Sequence, residues 1–281
     1  MAKNRPVITE LAAGENGNNQ GHFGQTLVIS GTNLEGADRV NFGARTVAGT
    51  PDTAGTTVTC TVPSGFGLVN VTVTGPGGTS NALPFYYILA PIVLTVAPVS
   101  GSAAAPPVLT VLGQNLLTTR HVRIGPTPEE AVEVPFVSVS DGEVTAATNP
   151  VTPLGGPPWT QLENVYVTTA GGTVVHPTVP TLPAGFTYYD IPVITSVVPD
   201  SGIPGAQVLV NGTAFVSPMI VAHFENSGAP VPGEVLVNSS AQLLVTVPFG
   251  LTTDPTFIRI ITLGGESNRV PFTYIPPPPP V

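Results

Sequence analysis

The sequence predicts an all-β protein, three tandem β-sandwiches set end to end as a semi-rigid rod. Three observations carry this. One strand–turn–strand phrase recurs three times along 281 residues. Its marker glycines, Gly31, Gly113 and Gly212, stand 82 and 99 residues apart. That is the length of a small sandwich domain and exceeds a solenoid repeat of roughly 20–50 residues. The 33 prolines and 31 glycines fall between the apolar runs, where turns belong, and few stretches hold helical apolar spacing beyond two turns.

The first unit, residues 1–89, opens with Pro6-Val-Ile-Thr-Glu-Leu11 and continues with Leu27-Val-Ile-Ser-Gly31. Between them, Ala12 to Gly21 is rich in Gly and Asn and reads as a flexible polar loop. Val40-Asn-Phe42-Gly43 is a strand that buries Val40 and Phe42 and turns at the glycine. Thr57-Val-Thr-Cys60-Thr-Val62 alternates with a period of two, so Cys60 shares the apolar face of Val58 and Val62 and reads as a buried, inert thiol. The unit closes with an alternating strand, Val69 to Val73, a Gly77-Gly78 hairpin, Ser80-Asn81, and a last strand holding Phe85. Gly-Gly accepts the positive φ that tight hairpins need.

The second unit, residues 90–190, repeats the phrase as Pro91 to Ala97 and Val108 to Leu116. It departs in its middle. Gly125 to Asn164 reads as long inserted loops, of which the strands need few residues. The segment holds Glu129, Glu130 and Glu133, which read as a solvated charged loop. It also holds the sole tryptophan, Trp159. The third unit, residues 191–275, is the most regular, with Pro192 to Val198, Gln207 to Phe215 and a closing Gly264-Gly265-Glu-Ser267-Asn268. A polyproline tail, 276–281, follows and reads as a stiff spacer. The junctions, Tyr87 to Pro91 and Tyr189 to Pro192, have no Gly/Ser linker, so the units are expected to be held semi-rigidly.

The combined pattern resembles IPT/TIG domains. Its parts are Pro-x-Ile with a downstream Pro-x-Ser-Gly, then Gly-x-x-Val-x-Val-x-Gly-x-x-Phe, Val-x-Val-Pro, Gly-Gly-x-Ser-Asn and Phe-x-Tyr. The third unit carries nearly all of it, and the first two carry its ends. The resemblance covers almost the whole chain and implies immunoglobulin-like modules in three copies, with a bacterial or phage source. It implies no catalytic residues, because the family shares none.

Composition narrows function. Charged residues make up only 9%, against about 25% in ordinary soluble domains. The surface is therefore Thr, Ser, Asn, Gly and Pro, as on extracellular and assembled structural proteins. The net charge is −9 and the eight basic residues are scattered, so neither nucleic acid nor an anionic membrane is an expected partner. No segment is long and apolar enough to be inserted in a bilayer. One cysteine permits no intrachain disulfide. The four histidines lack metal-ligand spacing, and no nucleophile elbow or phosphate loop is present. We expect no enzyme activity, no metal and no cofactor.

The expected function is a noncatalytic structural or protein-interaction rod in assembly, or on the surface of a fibre, virion or cell. Its partner would be a protein, itself included, in an oligomer or filament. The alternative is a glycan-binding or adhesive module. A sugar site needs an exposed aromatic beside carboxylates or amides, and Trp159 with Gln161 and Glu163 is the one such group. Two roles are open to Trp159, partner contact or cover for its own sandwich edge. No secretory leader is visible after Met1, so cytoplasmic synthesis with an unread export route goes with an expected extracellular, surface or virion location.

Overall fold

The computed structural model describes residues 4–151, 154–177, 185–216, 218–252 and 255–277. The tail expected at 276–281 lies outside them beyond Pro277. Each unit consists of a four-stranded sheet packed on a six-stranded one, with the same strand order three times. In the first unit the four-stranded sheet runs Val7–Ala12, Thr26–Thr32, Thr57–Thr61, Thr50–Pro51. The other runs Gln20–Gly21, Leu83–Tyr87, Leu68–Gly75, Arg39–Phe42, Arg45–Ala48, with Gly78–Thr79 beside Leu68–Gly75. All pairs are antiparallel except the short strand that lies parallel to the last strand of each unit.

Three separate cores fill the sandwiches, as period-two alternation requires. Val40, Phe42, Val58, Cys60 and Val62 are all buried in the first, and burial pushes the Cys60 thiol up to about 12. The aromatics on the last strands pack edge to face: Phe85 on Phe42 at 5.4 Å, Phe186 on Tyr188 at 4.8 Å, and Phe272 on Phe224 at 5.4 Å between ring centres.

The marker glycines owe their recurrence to a backbone collision. Each first strand carries a bulge, between Ile8 and Glu10, Val93 and Thr95, or Ile194 and Ser196. The bulge drives a carbonyl into the facing strand. A Cβ on Gly31, Gly113 or Gly212 would lie 2.0 Å from the Val7 oxygen, 1.9 Å from that of Ile92 or 2.0 Å from that of Val193. Two residues on, the chain takes a left-handed turn at Asn33, Asn115 and Ala214. The asparagines suit it, because each side-chain amide donates to a carbonyl of the incoming chain, Arg5 at 3.1 Å and Ala90 at 2.8 Å. Ala214 has no such group.

The Ser-Asn pair after the hairpin fastens the first strand. Asn81 accepts from Ile8 N–H and donates to the Ile8 carbonyl, both at 2.9 Å. Asn268 does the same for Ile194 at 2.8 and 3.0 Å. Ser80 and Ser267 accept from Val73 and Ile260 N–H. These side chains supply the pairing that the bulge removes from the ladder.

Two expectations need correction. Ala12 to Gly21 is not a flexible polar loop. It holds a 3-10 turn, Gly14–Asn16, and the Asn16 side chain is buried. Its amide donates to Gln25 Oε1 at 2.9 Å and to the Ala170 carbonyl of the second unit at 2.8 Å. Gly125 to Asn164 is not all inserted loop either. It supplies Val132–Glu133, Phe136–Ser140, Glu143–Ala147 and the start of Thr160–Thr169. Glu143–Ala147 is an inner strand of its sheet, with Val144 and Ala146 fully buried. The sequence carried the signal: Phe-Val-Ser-Val-Ser, the two-residue turn Asp141-Gly142, then Glu-Val-Thr-Ala-Ala, which is the pattern of a β-hairpin.

Candidate functional site

The Thr160–Thr169 strand is long enough to serve several neighbours. Residues 160–163 pair with Phe186–Tyr189 and residues 164–169 with Thr119–Gly125. The Thr119–Gly125 strand stops at Gly125, opposite Asn164, because Pro126 has no N–H to continue the ladder. The chain then folds back on itself. A Cβ at Gly125 would lie 2.4 Å from the Ala131 Cα, so only glycine admits this return. Beyond the stop, residues 161 and 163 face a gap.

That gap is a cleft of about 450 Å³. Its walls are apolar: Ile124, Pro126, Val132, Val134, Pro150 and Val151. Its polar lining is Glu130, Asn149, Gln161, Glu163 and Tyr188. Registers align the three units residue for residue here. Ile124 occupies the place of Phe42 and Phe224, and Glu163 that of Val69 and Thr256. A smaller side chain at 124 leaves room, and a carboxylate replaces the valine that packs against the first core.

Glu163 is 3% exposed. Its Oε1 accepts from the Gln161 amide, and its Oε2 has no hydrogen-bond partner among the described residues. Burial raises its carboxyl above the usual range; the Gln161 bond opposes this and the charge of Glu130 adds to it. Tyr188 donates to the Asn149 carbonyl at 3.1 Å, and burial, with Glu163's charge, pushes its hydroxyl up to about 12.

Trp159 does not join Gln161 and Glu163. It sits at φ +63°, which breaks the strand alternation one residue before Thr160. Its N–H donates to the Gly156 carbonyl and its carbonyl accepts from Asp190 N–H, each at 3.1 Å. The Asp190 carboxylate in turn accepts from Leu154 N–H at 2.8 Å. Half-buried, the indole lines an apolar groove of about 360 Å³ between the second and third units, with Ala103, Ile191, Val193 and Ala214. The three expected contact residues therefore fall in two places. The acid cluster is also divided. Glu133 pairs with His121 at 3.0 Å, and Glu130 accepts from Thr127 at 3.0 Å.

The unit junctions are the other organised surface. A Cβ on Gly171 would lie 1.8 Å from the Leu89 oxygen, and one on Gly264 would lie 1.9 Å from the Asp190 oxygen. So the first glycine of these hairpins is demanded by the incoming linker, and the second by its φ, +112° at Gly172 and +121° at Gly265. Arg120 adds an ion pair to Glu15 across the first junction at 3.5 Å.

A chain of three sandwiches with this strand order and a short parallel closing strand is a tandem immunoglobulin-like protein. More particularly, residues 6–87 match the IPT/TIG domain family, and the second and third units repeat the strand order of that first unit. A search of curated proteins finds no match. Among solved structures, one determined with a xylogluco-oligosaccharide is 17% identical (TM-score 0.36), over 94% of this chain and 59% of that one. The plexin A4 extracellular region is 16% identical (TM-score 0.38), over 96% of this chain and 24% of that one. SGBP-B from a xyloglucan utilization locus of Bacteroides uniformis is 16% identical (TM-score 0.26), over 95% and 96% of the two chains. The chain thus spans under two thirds of the first two.

Proposed function

We propose that the protein is a noncatalytic interaction rod, with bodies at residues 1–89, 90–190 and 191–275 that hold binding surfaces at fixed spacing. It acts in assembly, or on the surface of a fibre, virion or cell, with a protein partner that includes further copies of itself. The observation that supports this is the contact of hairpin backbone on linker backbone at both junctions, Gly171 on Leu89 and Gly264 on Asp190. Such contacts serve no purpose in a string of independent beads. They matter where the angle between units matters. The neutral, charge-poor surface suits an assembled or extracellular setting.

Small-angle scattering and light-scattering mass over a concentration series test this. The wild type should scatter as one rigid elongated body, and Gly171→Val should broaden its distance distribution by forcing the hairpin off the linker. Defined oligomers or filaments would identify the partner as another copy. A wild-type curve that needs an ensemble of bent shapes would defeat the reading.

Trp159 supports a second reading, glycan binding. A bulky residue at positive φ stores strain of about 1–3 kcal/mol, and here it sets an aromatic face in an apolar groove. A glycan array should then give a signal that Trp159→Ala removes; a blank array would end this reading.

A further inference from the structure

We infer that the cleft of the second unit is a socket for a primary alkylammonium group, presented as the side chain of a lysine on a partner protein. The interaction reading supplies only the source of the lysine; the chemistry of the cleft stands on its own geometry.

Two facing positions differ from the other units. Ile124 stands where Phe42 and Phe224 fill the first and third cores, and Glu163 stands where the first unit has Val69. The fold itself does not need a carboxylate there, because the first unit closes without one. A buried carboxylate oxygen without a partner keeps the full cost of leaving water. Glu163 Oε2 is such an atom, on a residue 3% exposed, and Glu163 is one of the residues around an open cleft.

The remaining polar groups define what is missing. Gln161 donates one N–H to Glu163 Oε1, and its carbonyl is an acceptor. Glu130 brings a second negative charge to the rim, and among the described residues no Lys, Arg or His lines the cleft. The Tyr188 hydroxyl donates to the Asn149 carbonyl, so it offers no proton to Glu163. A group with several N–H donors and a positive charge satisfies all of these acceptors at once. The apolar walls, Val132, Val134 and Val151 among them, suit a methylene stem. They suit a bare metal ion poorly, since calcium asks for six to eight oxygens.

The test is calorimetric titration of the full chain at neutral pH with three probes: Nα-acetyl-lysine methylamide, its norleucine analogue and calcium chloride. The lysine amide should bind and the other two should not. In Glu163→Gln the lysine amide should bind at least about tenfold more weakly, as the loss of a charged hydrogen bond predicts. Glu163→Gln should melt no lower than the wild type, because it removes an unpaired buried charge, so folding does not confound the result. Heat from calcium alone would assign the cleft to a metal. Equal binding of norleucine would make it an apolar pocket without the carboxylate. No heat from any probe, or unchanged lysine binding in Glu163→Gln, would overturn the inference. Each of these outcomes leaves the scattering test of the rod untouched.

Discussion

Phe272→Ala should cost the third unit about 3–5 kcal/mol, as buried aromatic truncations do, and leave the first two units melting as before. Phe272 is 4% exposed and packs edge to face on Phe224 at 5.4 Å. The pair joins the two strands that flank Thr256–Thr262 in one sheet and contributes beyond its buried area. Phe215, 1% exposed, closes the opposite part of the same core, and Phe215→Ala should fall in the same range. The whole stability of a domain this size is about 5–15 kcal/mol. Either change therefore takes a large share of it, and should lower that unit's melting transition by roughly 10 °C or more. Differential scanning calorimetry of the full chain checks this. The three cores share no buried residue, so the effect should stay in one transition. A third-unit transition that did not move would show that its core lies elsewhere.

What could be read from the sequence was whatever repeats or alternates. Val58, Cys60 and Val62 lie on one buried face because strand geometry allows nothing else. The marker glycines announced the units, although their cause, a carbonyl 2.0 Å from where a Cβ would stand, needs the facing strand to be seen. Asn16 could not be read at all. Its burial depends on Ala170, 154 residues away, and local polarity suggested solvent. Glu163 was half legible. Counting back by two from Val167 and Val165 points it inward, which marks a buried carboxylate. Its cleft, however, comes from Pro126 ending the adjacent strand and from Ile124 being smaller than its counterparts. Trp159 misled for a related reason. Counting by two groups it with Gln161 and Glu163, but its positive φ turns it toward the third unit.

Gly212→Ala should destabilise the third unit by about 3 kcal/mol, at the upper end of what one added methyl does in a packed site. The new Cβ would stand 2.0 Å from the Val193 oxygen and 2.4 Å from the Phe215 ring. A ring can shift, but the carbonyl belongs to a bulge fixed by Asn268, which holds Ile194 through two hydrogen bonds. Relief would therefore have to break the pairing of two strands. Gly142→Ala is the control. Its Cβ would meet nothing nearer than 3.6 Å, and the change should stay within about 0.5 kcal/mol. Two residues beyond Gly212, the sign reverses. Ala214 holds φ +57° where the other units place asparagine, so Ala214→Asn should raise stability by about 1 kcal/mol. Chemical denaturation of the three variants separates the causes. If backbone collision fixes the marker glycine, Gly212→Ala alone falls steeply. If the glycine were kept only for chain flexibility, Gly142→Ala and Gly212→Ala would move together, and the physical account of the repeat would fail.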